Sequence, residues 1–181
     1  CNGSPEFRAR TSIYEGVPDC RIAHNLFQGE TDCSYGCFGL GDCVRACAFE
    51  AIYISTETGL PVISDEKCVS CGACVKACPR KLIELRKKAK KDRKIYVACS
   101  NCDKGGPARR ACKVACIACL KCQKVCEFDA IKIENNLAYI DATKCTFCRK
   151  CVTECPTGSI LEINFPPRKP KVEVQAETVN A

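Results

Sequence analysis

Apolar residues occur along this chain in short runs that are separated by polar turn residues. Runs 52–54 and 61–63 flank the polar segment 56–59, and runs 131–133 and 137–140 lie close together in the same way. Each pair of runs predicts a β-hairpin. No apolar run reaches the roughly 18 residues that a membrane-spanning helix needs, so the sequence predicts no membrane span in this chain.

The composition indicates that something other than side chains fills the interior. Of 181 residues, 21 are cysteine, whereas aromatic residues make up only 7%. Small domains of about 50 residues bury little apolar surface, so we expect bound groups to act as part of the core. An odd number of cysteines cannot be fully paired in disulfides.

Three cysteine runs share the spacing C-x2-C-x2-C-x3-C, and they begin at Cys68, Cys116 and Cys145. Bacterial ferredoxins hold [4Fe–4S] clusters with this run, whose fourth cysteine ligates the neighbouring cluster. The runs must therefore act in pairs, and the second run pairs with the third. The predicted ligands of this pair are Cys116, Cys119, Cys122 and Cys155 for the third cluster, and Cys126, Cys145, Cys148 and Cys151 for the fourth.

The run that begins at Cys68 needs a partner, and the upstream candidate, residues 33–47, has the spacing C-x3-C-x5-C-x3-C. The segment AFEAI after Cys47 matches EFDAI after Cys126, and this alignment places Leu40 where the other run has Cys119. We predict that Cys33 replaces the missing ligand, with Cys20 as its main rival. The predicted ligands of this pair are Cys33, Cys37, Cys43 and Cys78 for the first cluster, and Cys47, Cys68, Cys71 and Cys74 for the second.

Four clusters with four ligands each account for sixteen cysteines. The others are interpreted as buried small side chains or free thiols, although Cys99-x2-Cys102 has the spacing of half a zinc site and leaves a further metal site open. For the whole set of cysteines, structural zinc sites and a framework of disulfides are weaker alternatives to iron–sulfur clusters. Thiolate-ligated clusters imply a reducing compartment, so we expect the cytoplasm. The remaining cysteines are Cys1, Cys20, Cys99, Cys102 and Cys112.

The predicted fold class is α+β. We expect two tandem ferredoxin-like domains, each binding two [4Fe–4S] clusters with small two-stranded sheets and short helices. The predicted divisions are a leader of unclear structure (1–32), domain 1 (33–83), a basic linker (84–96), domain 2 (97–163) and a C-terminal tail (164–181).

The formal net charge of +7 comes mostly from residues 81–94, which carry eight basic and two acidic side chains. Each cluster with its four thiolates adds about −2, so four clusters bring the total to about −1. The patch is interpreted as a solvated face that could also steer an acidic electron donor or contact anionic lipid. The sequence shows no basic groove rich in aromatic residues, so it does not indicate nucleic-acid binding. The one histidine, His24, is not part of a recognisable catalytic motif.

Several segments resemble the B subunit of the Rnf electron-transport complex. They are DCVRACAFEAI (42–52), LPVISDEKCVSCGACVKACPRKLI (60–83) and CIACLKCQKVCEFDAIKIENNLAYIDATKC (116–145), together with residues 14–20 and the irregular run 33–43. The cysteine spacings alone are shared by polyferredoxins in general, whereas the irregular run and NNLAYID are the specific part of the resemblance.

The resemblance implies an electron-transfer protein with no substrate-converting site of its own. It would sit on the cytoplasmic side of the plasma membrane, held there by other subunits of a complex that couples ferredoxin:NAD oxidoreduction to sodium or proton pumping. Soluble ferredoxin or flavodoxin would be the electron donor. The family also has an N-terminal membrane anchor and a further four-cysteine cluster domain, so we expect an N-terminally truncated member. Alternatives are a soluble polyferredoxin, the electron-transfer component of a hydrogenase-like oxidoreductase, or a zinc-stabilised interaction module.

Overall fold

The computed structural model of the protein describes residues 1–87 and 89–167. Lys88 of the predicted linker and residues 168–181 of the predicted tail lie outside the described residues. The helices are short, and a 3-10 turn (Lys90–Asp92) lies between the third and fourth of them. Their bounds are α1 Cys20–Leu26, α2 Asp42–Arg45, α3 Ala73–Ala77, α4 Gly105–Ala111, α5 Lys121–Lys124 and α6 Lys150–Glu154.

The strands pair as two-stranded antiparallel sheets, which confirms the predicted α+β class. We call residues 20–83 the first half and residues 94–163 the second half. The first half contains one sheet and the second half contains two. The pairs are β1 Ile52–Ile54 with β2 Pro61–Ile63, β3 Lys94–Val97 with β6 Ile160–Ile163, and β4 Ile131–Glu134 with β5 Leu137–Ile140.

Both predicted hairpins are present in the structure. Ile52 lies opposite Ile63 in the first hairpin, and Ile131 lies opposite Ile140 in the second. The two residues at the turn of the second hairpin, Asn135 and Asn136, have φ angles of 49° and 60°. Asparagine tolerates this left-handed conformation better than most residues, and two such residues in succession match the twist of a hairpin.

The sheet formed by β3 and β6 was not predicted. Strand β3 begins at Lys94, inside the stretch predicted to be a linker, and its residue Ile95 is buried. Lys94 lies opposite Ile163 and Val97 opposite Ile160, so this sheet joins the two ends of the second half. Because β3 and β6 are far apart in sequence and no short turn joins them, no local pattern of residues indicates that they pair.

The predicted leader has a defined structure. Helix α1 begins after Asp19, whose carboxylate caps it by accepting hydrogen bonds from the N–H groups of Arg21 and Ile22 at 2.8 and 3.0 Å. Further upstream, the Phe7 carbonyl accepts a hydrogen bond from the Lys113 N–H at 2.8 Å. The start of the leader therefore contacts the second half, while its helix α1 is part of the first half.

The apolar core is concentrated in the second half. Ile95, Ile131, Ile140 and Ile160 are buried there in one cluster together with cysteines from the predicted ligand set. In the part of the chain that the structure describes, no helix is long and apolar enough to cross a membrane.

Candidate iron–sulfur sites

The four cysteine runs share one feature of the backbone around their middle position. In each run, two residues with positive φ flank the middle position, which is Leu40 in the first run and Cys71, Cys119 or Cys148 in the others. Alternation of left- and right-handed residues turns successive N–H groups toward one concave side, which is how many iron–sulfur sites bind their anionic cluster. The flanking pairs are Gly39 and Gly41, Ser70 and Gly72, Ala118 and Leu120, and Phe147 and Arg149.

A second repeated feature follows the last cysteine of each run. The third residue after it has a positive φ of 48° to 65°, and three of these residues are not glycine. This turn aims the next N–H back at the sulfur, as at Cys47, whose Sγ accepts from the Ala51 N–H at 3.4 Å, and at Cys78, whose Sγ accepts from the Leu82 N–H at 3.4 Å. The left-handed residues are Glu50, Lys81, Asp129 and Gly158.

In the second half, the predicted ligands lie around two separate pockets. One pocket is lined by the first three cysteines of one run and the last cysteine of the other. The second pocket has the converse arrangement. The structure thus places these eight cysteines as cross-ligation requires. The first pocket has Cys116, Cys119, Cys122 and Cys155, and the second has Cys126, Cys145, Cys148 and Cys151.

Burial raises the pKa of three of these thiols, Cys122, Cys145 and Cys151. It raises the pKa of Cys122 to about 11 and that of Cys151 to about 12, with neighbouring cysteines adding to both shifts. Cys155 differs because hydrogen bonds outweigh its burial: the Ser159 side chain, with Oγ at 3.3 Å, and the groups of Thr157 hold the Cys155 pKa below its usual value. Binding of iron at neutral pH must therefore release protons from Cys122 and Cys151.

The first half has a pocket whose cysteines differ from the prediction in one position. Cys37, Cys43 and Cys78 line it as predicted, but the fourth cysteine is Cys20, the rival that the sequence left open, and not Cys33. The reason is local: the N–H of Cys20 donates to Oδ1 of Asp42 at 2.9 Å, which ties the start of α1 to the start of α2.

Cys33 lies elsewhere, beside the loop between β3 and α4. Its side chain is 7% exposed, and its Sγ is 3.5 Å from Nδ2 of Asn101, which donates to it. Sequence spacing cannot reveal this exchange of places, because Cys20 lies outside any recognisable run. The one local signal in the sequence is Asp19, because aspartate is a residue type favoured at helix N-caps and it directly precedes Cys20.

The predicted second cluster has weaker support from the geometry. Burial, and then the neighbouring Cys68 and Cys47, raise the pKa of Cys74, so these three cysteines lie close together. Cys71 is exposed, like the middle cysteines of the two runs in the second half. Helix α2 packs against helix α3 in the first half as α5 packs against α6 in the second.

The cysteines of each pocket are spread around its wall and do not meet at a single point. Among residues 1–87 and 89–167, no three Cys, His, Asp or Glu side chains converge as closely as one metal ion requires. A [4Fe–4S] cluster holds its four thiolates apart around a cube, whereas a structural zinc ion draws four ligands together at one point. The residues present therefore fit [4Fe–4S] clusters.

Part of the basic patch connects the two halves. Arg86 donates to the Ile140 carbonyl at 3.0 Å and pairs with Glu84 at 2.9 Å, and Lys94 pairs with Asp65 at 2.5 Å. Four other lysines of the patch are exposed to solvent, as the sequence predicted. These are Lys81, Lys87, Lys90 and Lys91.

Comparison with known families agrees with this geometry. The profile of a 4Fe–4S dicluster domain matches residues 32–81 and 115–159. The profile of a second 4Fe–4S dicluster domain matches residues 60–113, a stretch that includes Cys99, Cys102 and Cys112.

Curated relatives are components of ion-translocating complexes. The chain is 46% identical over 160 residues to the B subunit of the Na(+)-translocating ferredoxin:NAD(+) oxidoreductase complex of Acetobacterium woodii, covering 88% of this chain and 47% of that protein. It is 40% identical to the B subunit of the ion-translocating oxidoreductase complex of Methanosarcina acetivorans, covering 88% and 59%. It is 41% identical to the B subunit of the proton-translocating ferredoxin:NAD(+) oxidoreductase complex of Clostridium ljungdahlii, covering 90% and 57%.

The chain thus spans about half the length of the curated relatives it matches. The predicted resemblance to the Rnf complex protein is confirmed, as are the two ferredoxin-like domains and their four [4Fe–4S] clusters. The repeated cysteine geometry and the profile matches together show that this chain belongs to the 4Fe–4S dicluster domain family.

Proposed function

We propose that this chain is an iron–sulfur electron relay. It passes single electrons from reduced ferredoxin along its clusters within a membrane-associated, ion-pumping ferredoxin:NAD oxidoreductase complex. The observation that carries the proposal is the paired arrangement of cysteines around the described pockets, in a chain similar to the B subunits of such complexes. Each bound [4Fe–4S] cluster takes up and releases one electron.

The chain supplies the groups that hold the clusters and adjust their potentials. Backbone N–H groups directed at sulfur stabilise the more negative, reduced form, and so does nearby positive charge. Arg80 lines the first-half pocket, and its guanidinium lies 3.8 Å from the centroid of the Phe38 ring. This positive charge favours reduction of the cluster in that pocket.

The proposed partners are the other subunits of the complex and a soluble ferredoxin or flavodoxin. The exposed lysines Lys87, Lys90 and Lys91 support a role in steering an acidic donor, because a basic surface raises the encounter rate with acidic proteins. We place the chain on the cytoplasmic side of the membrane and held there by its partner subunits, because thiolate-ligated clusters need a reducing compartment.

Reduction by ferredoxin tests the relay. We expect stoichiometric reduced ferredoxin to bleach the visible absorbance of the anaerobic holo-protein, since each cluster accepts one electron. Protein stripped of iron is the control and should leave the ferredoxin reduced. A holo-protein that stays oxidised with excess reduced ferredoxin would contradict the proposal.

Isolation from native membranes tests the complex. After mild solubilisation, the chain should co-purify with membrane subunits. Recovery of the iron-loaded chain alone in the soluble fraction would instead indicate a soluble polyferredoxin, and a colourless, zinc-loaded protein would indicate an interaction module.

The ligand exchange in the first half gives a separate prediction. We propose that Cys20 ligates the first cluster, so C20A and C37A should each remove about four iron atoms per chain, the content of one cluster. The C20A/C37A double variant should lose no more than either single variant, because both residues hold the same cluster. Iron and acid-labile sulfide analysis measures this.

Two results of the iron analysis would contradict the assignment of Cys20 to the first cluster. If C20A keeps its full iron content, Cys20 is not a ligand of this cluster. If the losses in C20A and C37A add in the double variant, the two cysteines hold different clusters.

A further inference from the structure

The surface around Cys71 combines an exposed cluster ligand with exposed apolar side chains. Cys71 is a predicted ligand of the second cluster and is exposed. Val69, two residues earlier, is 56% exposed, and Leu85 is 53% exposed. A Cβ atom built at Gly72 would lie 3.5 Å from Cδ1 of Leu85, so the segment that carries Leu85 passes beside the turn that holds Cys71. Apolar side chains from two segments therefore lie close to one exposed ligand.

Exposed lysines follow on the same segments. Lys67 lies four residues before Cys71, and Lys76 lies on helix α3, which begins just after that turn. Lys87 follows Leu85 by two residues and belongs to the basic patch. Within the part of the chain that the structure describes, none of these three lysines forms an ion pair. Their positive charge is therefore available to a partner.

The exposed ligand Cys148 of the second half has a different charge environment. The two basic residues that follow it, Arg149 and Lys150, pair with Glu162 and Glu127. These positive charges are neutralised within the chain, so an acidic partner gains less from this surface than from the surface around Cys71.

The next inference rests on the proposed function, in which a soluble donor reduces this chain. We propose that the surface around Cys71 is the docking site of that donor, an acidic redox protein, and that electrons enter the chain at the second cluster. Val69 and Leu85 form the apolar centre of the contact and the lysines form its polar rim, as in protein interfaces generally. One electron leaves the reduced donor, which is oxidised, and the second cluster is reduced by it. No bond forms or breaks.

An acidic redox protein fits this surface better than anionic lipid does. The rate of electron transfer falls steeply with the distance between the two redox groups, and Cys71 brings the second cluster to the surface here. Contact with lipid has no need of an exposed cluster ligand. Lysines also raise the rate of association with an acidic partner more than they raise affinity, which suits a donor that must leave after each transfer.

Stopped-flow reduction of the anaerobic holo-protein by an acidic, reduced ferredoxin tests this docking site. We expect the K67E/K76E/K87E variant to be reduced about tenfold more slowly than the unaltered protein at low ionic strength. The two rates should converge at about 1 M salt, where charges are screened beyond about 3 Å. The variant should keep its full iron content, because none of the three lysines is a ligand.

The matched control is K113E/K121E/K124E, which makes the same change in net charge on exposed lysines near Cys119, another exposed ligand. Its rate with ferredoxin should stay close to that of the unaltered protein. A loss equal to that of K67E/K76E/K87E would show an effect of net charge and overturn the docking site, and a larger loss would move the entry point to Cys119.

A small reductant separates docking from damage to the clusters. Photoreduced deazaflavin needs no docking surface, so it should reduce K67E/K76E/K87E and the unaltered protein at the same rate. Equal slowing with deazaflavin and with ferredoxin would overturn the docking site, because the substitutions would then act on the cluster itself.

Two further results would contradict the proposal in distinguishable ways. If K67E/K76E/K87E kept its rate with ferredoxin but no longer bound phosphatidylserine vesicles that the unaltered protein binds, the surface would be a lipid contact. If ferredoxin failed to reduce even the unaltered holo-protein, the relay itself would be wrong. Reduction of all variants at one rate at low ionic strength would overturn the docking site alone.

Discussion

Removal of iron by an anaerobic chelator is expected to unfold the first half of the protein and to loosen the second half. In the first half, the sheet consists of two three-residue strands, and an isolated two-stranded hairpin is marginally stable in water. Its buried side chains near this sheet are few, chiefly Ala51, Ile52 and Leu60. Ligand binding to a site that does not exist in the unfolded chain is folding free energy, so its loss removes most of the stability.

The second half should keep residual structure because its core contains more than cysteine. Ile95, Ile131, Ile140 and Ile160 are each at most 4% exposed, and β3 pairs with β6 along four residues. We expect amide hydrogen exchange in residues 51–64 to reach the rate of an unfolded chain, while these isoleucines retain partial protection. Exchange measured by mass spectrometry, with far-UV circular dichroism, follows both effects.

Rebuilding the clusters is the control for this experiment. Addition of iron and sulfide should restore slow exchange in residues 51–64, which would exclude irreversible damage. An iron-free protein that keeps the exchange pattern of the holo-protein would show that side chains suffice for the fold, contrary to the small apolar core that the structure describes.

The sequence predicted those parts of the molecule that depend on local pattern. Both hairpins follow from short apolar runs around turn residues, and Asn135 and Asn136 adopt the left-handed conformation that such a turn requires. The internal alignment of the irregular run was also sound, because the residues on each side of Leu40 repeat the backbone conformation around Cys119.

The parts that were not predicted depend on contacts between distant segments. The pairing of β3 with β6 has no local signal, so Lys94 was assigned to a linker. Cys20 reaches the first-half pocket through its bond to Asp42, and Cys33 is held away from that pocket by Asn101. A rule based on spacing favoured Cys33 because it is nearer in sequence, whereas the fold brings the more distant cysteine to the site.

Cross-ligation gives the second large expected effect, a pattern of iron loss that depends on pairs of cysteines. Helix α5 carries Cys122 toward one pocket of the second half, while Cys126, just after the helix, lines the other. C126A should therefore remove about four iron atoms per chain from the cluster held by the run that begins at Cys145. Ligation by one continuous run predicts loss of the other cluster.

Two exposed cysteines provide a matched pair of partners for this test. Cys119 and Cys148 occupy the same middle position in their runs, and both are exposed. C126A/C148A should lose no more iron than either single variant, because both residues line one pocket. C126A/C119A should lose about eight iron atoms, the content of two clusters. If C126A/C148A lost about eight iron atoms and C126A/C119A about four, each run would supply all four ligands of its own cluster. Crossed ligands would then not link the two neighbouring clusters.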